Sequence, residues 1–283
     1  MEKSPGYKLG LISIAYIIIS LPAAFTGRLY IFYISVMVAG IYFLFNFKNE
    51  IMQRDIFVSV ILASMAGLYG IITGNYIMGS IVIIMVMCSY MGSVPVFRKY
   101  ISTNKVLGDD PKKSIGLGII LGLVLGAFNI LIAGASINPK FTLDALFLAL
   151  QAGIWEEVAM RFLFYGIGVY IFKREGQNRL ENILIYILMV IPHLLAYGMM
   201  GIGSLIVLFL LFGLPMAILQ RKVDLTSATI MHTTVDLIRF VCLGIWILYK
   251  KSENFKILAL LTKLPSYHLQ ILGILLRFYN LWF

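Results

Sequence analysis

The feature that most constrains this chain is its division into long apolar runs separated by short polar clusters. The runs cover roughly residues 9–21, 29–45, 56–73, 76–92, 114–135, 141–172, 181–197, 204–220 and 225–249. About 20 apolar residues in a helix span the hydrocarbon core of a bilayer. Composition points the same way, with 60% hydrophobic residues, 13% charged residues and a mean hydropathy of +0.93 over 283 residues. A soluble domain averages about 45–50% apolar and about 25% charged residues. The expected fold is therefore all-α, a polytopic transmembrane helical bundle of about eight or nine spans.

The net charge of +10 falls in short clusters between the apolar runs. It forms no single stripe with aromatic readers, which excludes a nucleic-acid partner and makes the basic residues signals of topology. With a cytoplasmic N-terminus and strict alternation, Lys3, Lys8, Lys48, Arg54, Arg98, Lys99, Lys105, Lys112, Lys113, Lys173, Arg174, Arg179, Arg221 and Lys222 all fall inside. Only Arg28 and Lys140 fall outside before the ninth span. Lys250, Lys251 and Lys256 break the pattern, so residues 251–283 are read as an interfacial tail or a final helix. Lys3 and Lys8 precede a first transmembrane helix rather than a cleaved signal, since Pro22 to Gly27 offer a poor cleavage pattern.

The most polar connection, Arg98 to Lys113, divides the chain into 1–113, a front set of helices, and 114–250, a back set. Gly74-Asn75 predicts a tight hairpin. Gly118, Gly122 and Gly126, spaced at i, i+4 and i+8, predict close packing of the fifth span. Thr142 is the expected N-cap of the sixth, with Asp144 in its first turn. Cys88 and Cys242 sit within spans and show no metal or disulfide spacing.

Few charged or imidazole side chains stand well inside these spans: Glu156, Glu157, Arg161, His193, His232, Asp236 and Arg239. All lie in the back half. On a regular helix Glu157 and Arg161 share a face and can pair, as a structural ion pair, while Glu156 points about 100° away and is left for work. A carboxylate at the membrane centre costs about 2.5 kcal/mol or more, which marks Glu156 as a functional residue. His232 and Asp236 share a face of the ninth span. Such a set suits hydrolysis, with a Glu as general base on water, one His orienting that water and another stabilising an oxyanion. The same residues are legitimate zinc ligands, although no His-x-x-x-His spacing supports a metal site. A proton relay in a transporter would use them too.

The order Glu156-Glu157-x-x-x-Arg161, then His193, then Phe212 to Lys222, then His232-x-x-x-Asp236 resembles the CPBP family of intramembrane proteases, which includes the type II CAAX prenyl endopeptidases. The resemblance covers about residues 114–245. It implies a metal-independent glutamate endopeptidase with no cofactor, in which Glu156 and His193 activate water and His232 and Asp236 line the oxyanion side. Glu157 and Arg161 would be structural or substrate-positioning. Met189 stands where the family usually has Phe, and Asp236 where it often has Asn. The implied setting is a multi-pass protein of the cell membrane or another bilayer, with the site reached from the cytoplasmic side. The implied partner is a peptide or protein substrate, a lipidated one among the candidates. A catalytically silent relative acting as an immunity or scaffold protein is the alternative within the family.

Overall fold

The computed structural model describes residues 4–26, 30–103, 105–133, 137–176, 178–196 and 202–244. Among these residues there are helices and no strand. In order they are α1 (Pro5–Thr26), α2 (Tyr30–Phe47), α3 (Gln53–Ile72), α4 (Tyr76–Ile101), α5 (Pro111–Ala133), α6 (Leu143–Trp155), α7 (Leu163–Phe172), α8 (Arg179–Ala196), α9 (Ile202–Leu208), α10 (Leu214–Lys222) and α11 (Leu225–Leu243). Two wide π-helical segments, Glu156–Phe162 and Phe209–Gly213, join α6 to α7 and α9 to α10 without a break.

Five helices are long and apolar enough to cross a membrane by length and composition: Ile31–Glu50, Gln53–Ile72, Tyr76–Ile101, Pro111–Ala133 and Gly203–Lys222. The segments bearing Glu156 and His232 are not among them. They carry the charged and hydroxyl side chains that an apolar solvent would reject and that the bundle interior takes up. Large apolar side chains instead cover the exterior, with Phe57 68%, Ile77 76% and Leu131 73% exposed. That is the surface expected where lipid is the solvent.

The polar connections gather at one end of the bundle. Arg98 clamps Asp55 through two hydrogen bonds of 2.9 and 2.8 Å, and Lys99 meets Glu50 at 2.6 Å. Lys173 reaches the Tyr100 hydroxyl, Lys105 lies 3.2 Å from Glu175, and Arg221 donates to Asn182. The stretch after α4 also caps α11, because Leu225 N donates to Lys105 O and Thr226 N to Val106 O. Two of the donors that a helix start leaves unmet are thereby satisfied. At the opposite end, Asn138 N and Lys140 N donate to Cys242 O and Val241 O. Arg98, Lys99, Lys105, Lys173 and Arg221, which alternation assigns to one side, thus share one end.

Several boundaries differ from the sequence reading. The fourth helix, expected to stop at Gly92, runs through Pro95 to Ile101, because residues 92–97 are buried and Arg98 is anchored by Asp55. Arg98 and Lys99 therefore belong to its last turn and not to the connection. The ninth helix, expected to reach Tyr249, ends at Leu243 beside Gly244, whose φ of +74° breaks it. The tail 251–283 lies outside the described residues. The hairpin appears as expected, with Gly74 at φ +76°. So does the α5 groove: a Cβ at Gly118, Gly122 or Gly126 would come within 2.7, 2.5 or 2.6 Å of α11. Thr142 caps α6 by accepting from Ala145 N.

Candidate active site

A regular helix from Phe141 to Phe172 would leave Glu156 pointing away from the Glu157–Arg161 pair. The chain instead widens at Glu156–Phe162, where all seven residues are buried. π-helical turns are rare and concentrate at functional sites, because they re-aim side chains that an α-helix would separate. Here the segment packs against α2, α4, α8 and α11 at once.

The correction concerns Glu156, which is not left unpaired. Its Oε2 lies 2.8 Å from His193 Nε2 and 3.4 Å from His232 Nε2, so two imidazoles from two helices converge on one carboxylate oxygen. Glu156 is 7% exposed, His193 2% and His232 6%. Asp236, at the rim, reaches His232 Nε2 at 3.5 Å. The structure brings all four expected catalytic residues together.

Glu157 and Arg161 form the expected buried pair, and they do more than pair with each other. Glu157 Oε1 accepts from His232 Nδ1 at 2.7 Å, and Arg161 Nη2 donates to His193 Nδ1 at 3.0 Å. Donor and acceptor matching then sets the histidine tautomers. A guanidinium only donates, so His193 Nδ1 accepts and its Nε2 carries the hydrogen aimed at Glu156. His232 Nδ1 carries a hydrogen toward Glu157 for the same reason. The pair orients both imidazoles from behind.

Sequence reasoning missed Gln220, which is fully buried and donates to Glu157 O at 3.4 Å. A polar residue at the end of an apolar run was its only signal, and helix ends are where polar residues are unremarkable. It also missed the contact at Gly153, where a Cβ would stand 2.1 Å from Thr233 Oγ1. That contact lets α6 and α11 approach closely enough to bring Glu156 to His232. Trp155 Nε1, Glu157 Oε2, Arg161 Nε and Gln220 Oε1 are buried without a hydrogen-bond partner among the described residues. A cavity of about 310 Å³ lies between α3, α6 and α11, lined by Leu62, Ile154, Thr229 and Thr233 among others, and none of the six cluster residues lines it. Among the described residues no three or more His, Cys, Asp or Glu side chains are arranged to hold a metal ion.

Comparison with protein-family models, with curated proteins and with solved structures finds no match.

Proposed function

We propose that this chain is a multi-pass intramembrane endopeptidase of about eight or nine spans, similar to the CPBP family, with its basic end in the cytoplasm. One observation carries the reading: two histidines from separate helices meet a single buried glutamate oxygen, and a second carboxylate–guanidinium pair holds both rings. Buried ion pairs are poor stabilisers compared with apolar packing of the same volume. An assembly of five charged or imidazole groups in an apolar bundle is better explained by chemistry than by stability.

In the proposed reaction Glu156 takes a proton from water held against His193 Nε2. The water oxygen attacks the peptide carbonyl carbon, and the resulting oxyanion is met by His232 Nε2–H of the doubly protonated ring, whose Nδ1–H is held by Glu157. Asp236 donates to that oxyanion only as the neutral acid. The proton on Glu156 passes to the amide nitrogen as the C–N bond breaks. Glu157 and Arg161 position the two imidazoles. A lipidated C-terminal substrate of the CAAX type fits the resemblance, and access is from the basic end.

The test is cleavage of a fluorogenic peptide panel, prenylated CAAX peptides included, by the purified full chain with and without a chelator. Glu156→Gln should lower the rate about 10³-fold while far-UV circular dichroism is unchanged, and a chelator should leave the wild-type rate intact. A chelator-sensitive rate would put a metal in the site. Full activity in Glu156→Gln would end the glutamate mechanism, and silence of the wild-type protein across the panel would favour the scaffold or relay reading.

A further inference from the structure

The cavity of about 310 Å³ beside the catalytic cluster is a groove with a floor, two walls and a bounded end. Ile154 of α6 lies in its floor, Val58, Leu62 and Met65 of α3 form one wall, and Thr229 and Thr233 of α11 stand in the other. Val106 and Leu225 bound it toward the basic end. Met65 at its lip is 38% exposed, on the exterior where lipid is the solvent. The threonine wall is apolar in effect, because Thr226 donates to Val106 O at 2.6 Å and Thr234 to Ile230 O at 2.8 Å. Thr233 Oγ1 is buried against Gly153. A trapped water needs about two to four polar partners, and this groove offers too few. An apolar void of about 150 Å³ admits benzene, so the groove takes about 12 carbons of a hydrocarbon chain.

A chain entering from the side brings a head group, and the basic end supplies a partner for it. Arg54 precedes Val58, Leu62 and Met65 by 4, 8 and 11 residues, so all four share one face of α3. Its side chain is 61% exposed and reaches Asp55 at 3.9 Å, a carboxylate already clamped by Arg98. The inner end of the groove touches the chemistry. Ile154 lies two positions before Glu156, Thr233 follows His232, and a Cβ at Gly153 would strike Thr233 Oγ1. The helices bearing Glu156 and His232 therefore approach one another at the floor of the groove. Between helices in lipid, packing contacts carry the association, and an empty slot forfeits them.

We propose that this groove is a site for one acyl chain of a phospholipid from the leaflet at the basic end, with its phosphate against Arg54, and that the seated chain fixes the spacing between Glu156 and His232. The effect on rate rests on the endopeptidase reading, whereas the lipid site stands without it. A substrate's own lipid is the poorer occupant, because no residue of the catalytic cluster lines the groove and its mouth is on the exterior. Filled, the groove holds α3, α6 and α11 against a common core of methylenes, and the 3.4 Å approach of His232 Nε2 to Glu156 Oε2 is kept. Emptied, it leaves α6 and α11 free to shift at the Gly153 contact. The lipid is thus a brace on the site and takes no part in the bond that breaks.

Photolabelling and hydrolysis test the two statements separately. The purified full-length protein in detergent is given phosphatidylglycerol carrying a diazirine midway along one chain, and the labelled residues are mapped by mass spectrometry. Label should concentrate on residues 58–65 and 226–234 and spare Ile77 and Leu131, which are more exposed than Met65. Leu62→Phe combined with Thr229→Leu narrows the groove and should lose that label. Arg54→Gln should need about fivefold more lipid for half-labelling. This second variant changes an exposed side chain and keeps the test open if the first does not fold. Phosphatidylglycerol should raise the wild-type hydrolysis rate about tenfold, since an ångström of misplacement costs up to about 10²-fold, and the narrowed variant should show no such response. Label spread evenly over the exterior, label retained by the narrowed variant, or label displaced by an equimolar farnesylated peptide overturns the lipid site. An unchanged half-point in Arg54→Gln overturns the phosphate assignment, and hydrolysis indifferent to the phospholipid overturns the brace. Label confined to the groove of a protein that hydrolyses nothing would keep the site and remove the protease reading. Hydrolysis by a protein labelled evenly would do the reverse.

Discussion

The bundle contains two π-helical segments, and they differ in everything except backbone. Glu156–Phe162 carries three charges, is buried throughout and touches four neighbouring elements. Phe209–Gly213 is apolar, and Gly213 is its only buried residue. The two nonetheless meet around one turn of α8: Arg161 holds His193, and a Cβ at Gly213 would lie 2.5 Å from Val190 Cγ1, three residues earlier. The first segment aims functional groups. The second accommodates the helix on which one of them rides. A wide turn is therefore no functional mark by itself; the mark is a wide turn whose side chains are ionisable and fully enclosed.

That contrast can be broken by substitution. Glu157→Ala strands Arg161 inside the bundle and should lower stability by about 3–5 kcal/mol, measured by denaturant titration in micelles. Phe209→Leu in the second segment should cost less than about 1.5 kcal/mol. Similar losses at the two positions would mean that the first segment is no more than a packing device. Next in size, Gly213→Ala places a methyl group into Val190 and should cost about 1–3 kcal/mol, with a lowered hydrolysis rate as His193 shifts. A stable variant of unchanged rate would show that the second segment does not support the site.

The smallest effect sharpens how far the polar column under the first segment extends. Burial pushes the Glu175 carboxyl up, but the Tyr165 hydroxyl, Lys105 and Arg221 outweigh it and hold that carboxyl below its ordinary range. A group depressed in the folded state stabilises above its unfolded value and loses that contribution as pH falls through the folded one. The gap in thermal midpoint between wild type and Glu175→Gln should therefore be constant from neutral pH to the ordinary carboxyl range and close below it. A gap that widens in acid would detach Glu175 from this network.

Much of the fold could be read in advance because lipid leaves a helix few choices. Apolar runs, the Gly74-Asn75 turn, the Thr142 cap and the glycine stripe of α5 are local signals, and each stands where its local physics puts it. Helix ends were less legible. Ile101 is the end of α4 only because Arg98 finds Asp55 more than forty residues away. Within the site, the residue types inside the spans named the cluster, since burying Glu156, His193 and His232 needs a reason that packing does not supply. The convergence of Glu156 with both histidines is as expected, whereas the contacts by which Glu157 and Arg161 hold those rings from behind were not legible.

By itself, then, the chain's order of residues determined an all-helical bundle with helices long and apolar enough for a membrane, and it singled out the ionisable side chains that such a bundle must enclose. Those are consequences of hydropathy and helical spacing, which act over a few turns. Which nitrogen faces which oxygen, the widened turn that carries Glu156 between α8 and α11, the buried Gln220 and the enclosure of Arg221 between Tyr165 and Tyr186 were decided by tertiary structure. They depend on how closely helices distant in sequence approach, and that closeness is set by contacts such as Gly153 on Thr233, which no local pattern encodes.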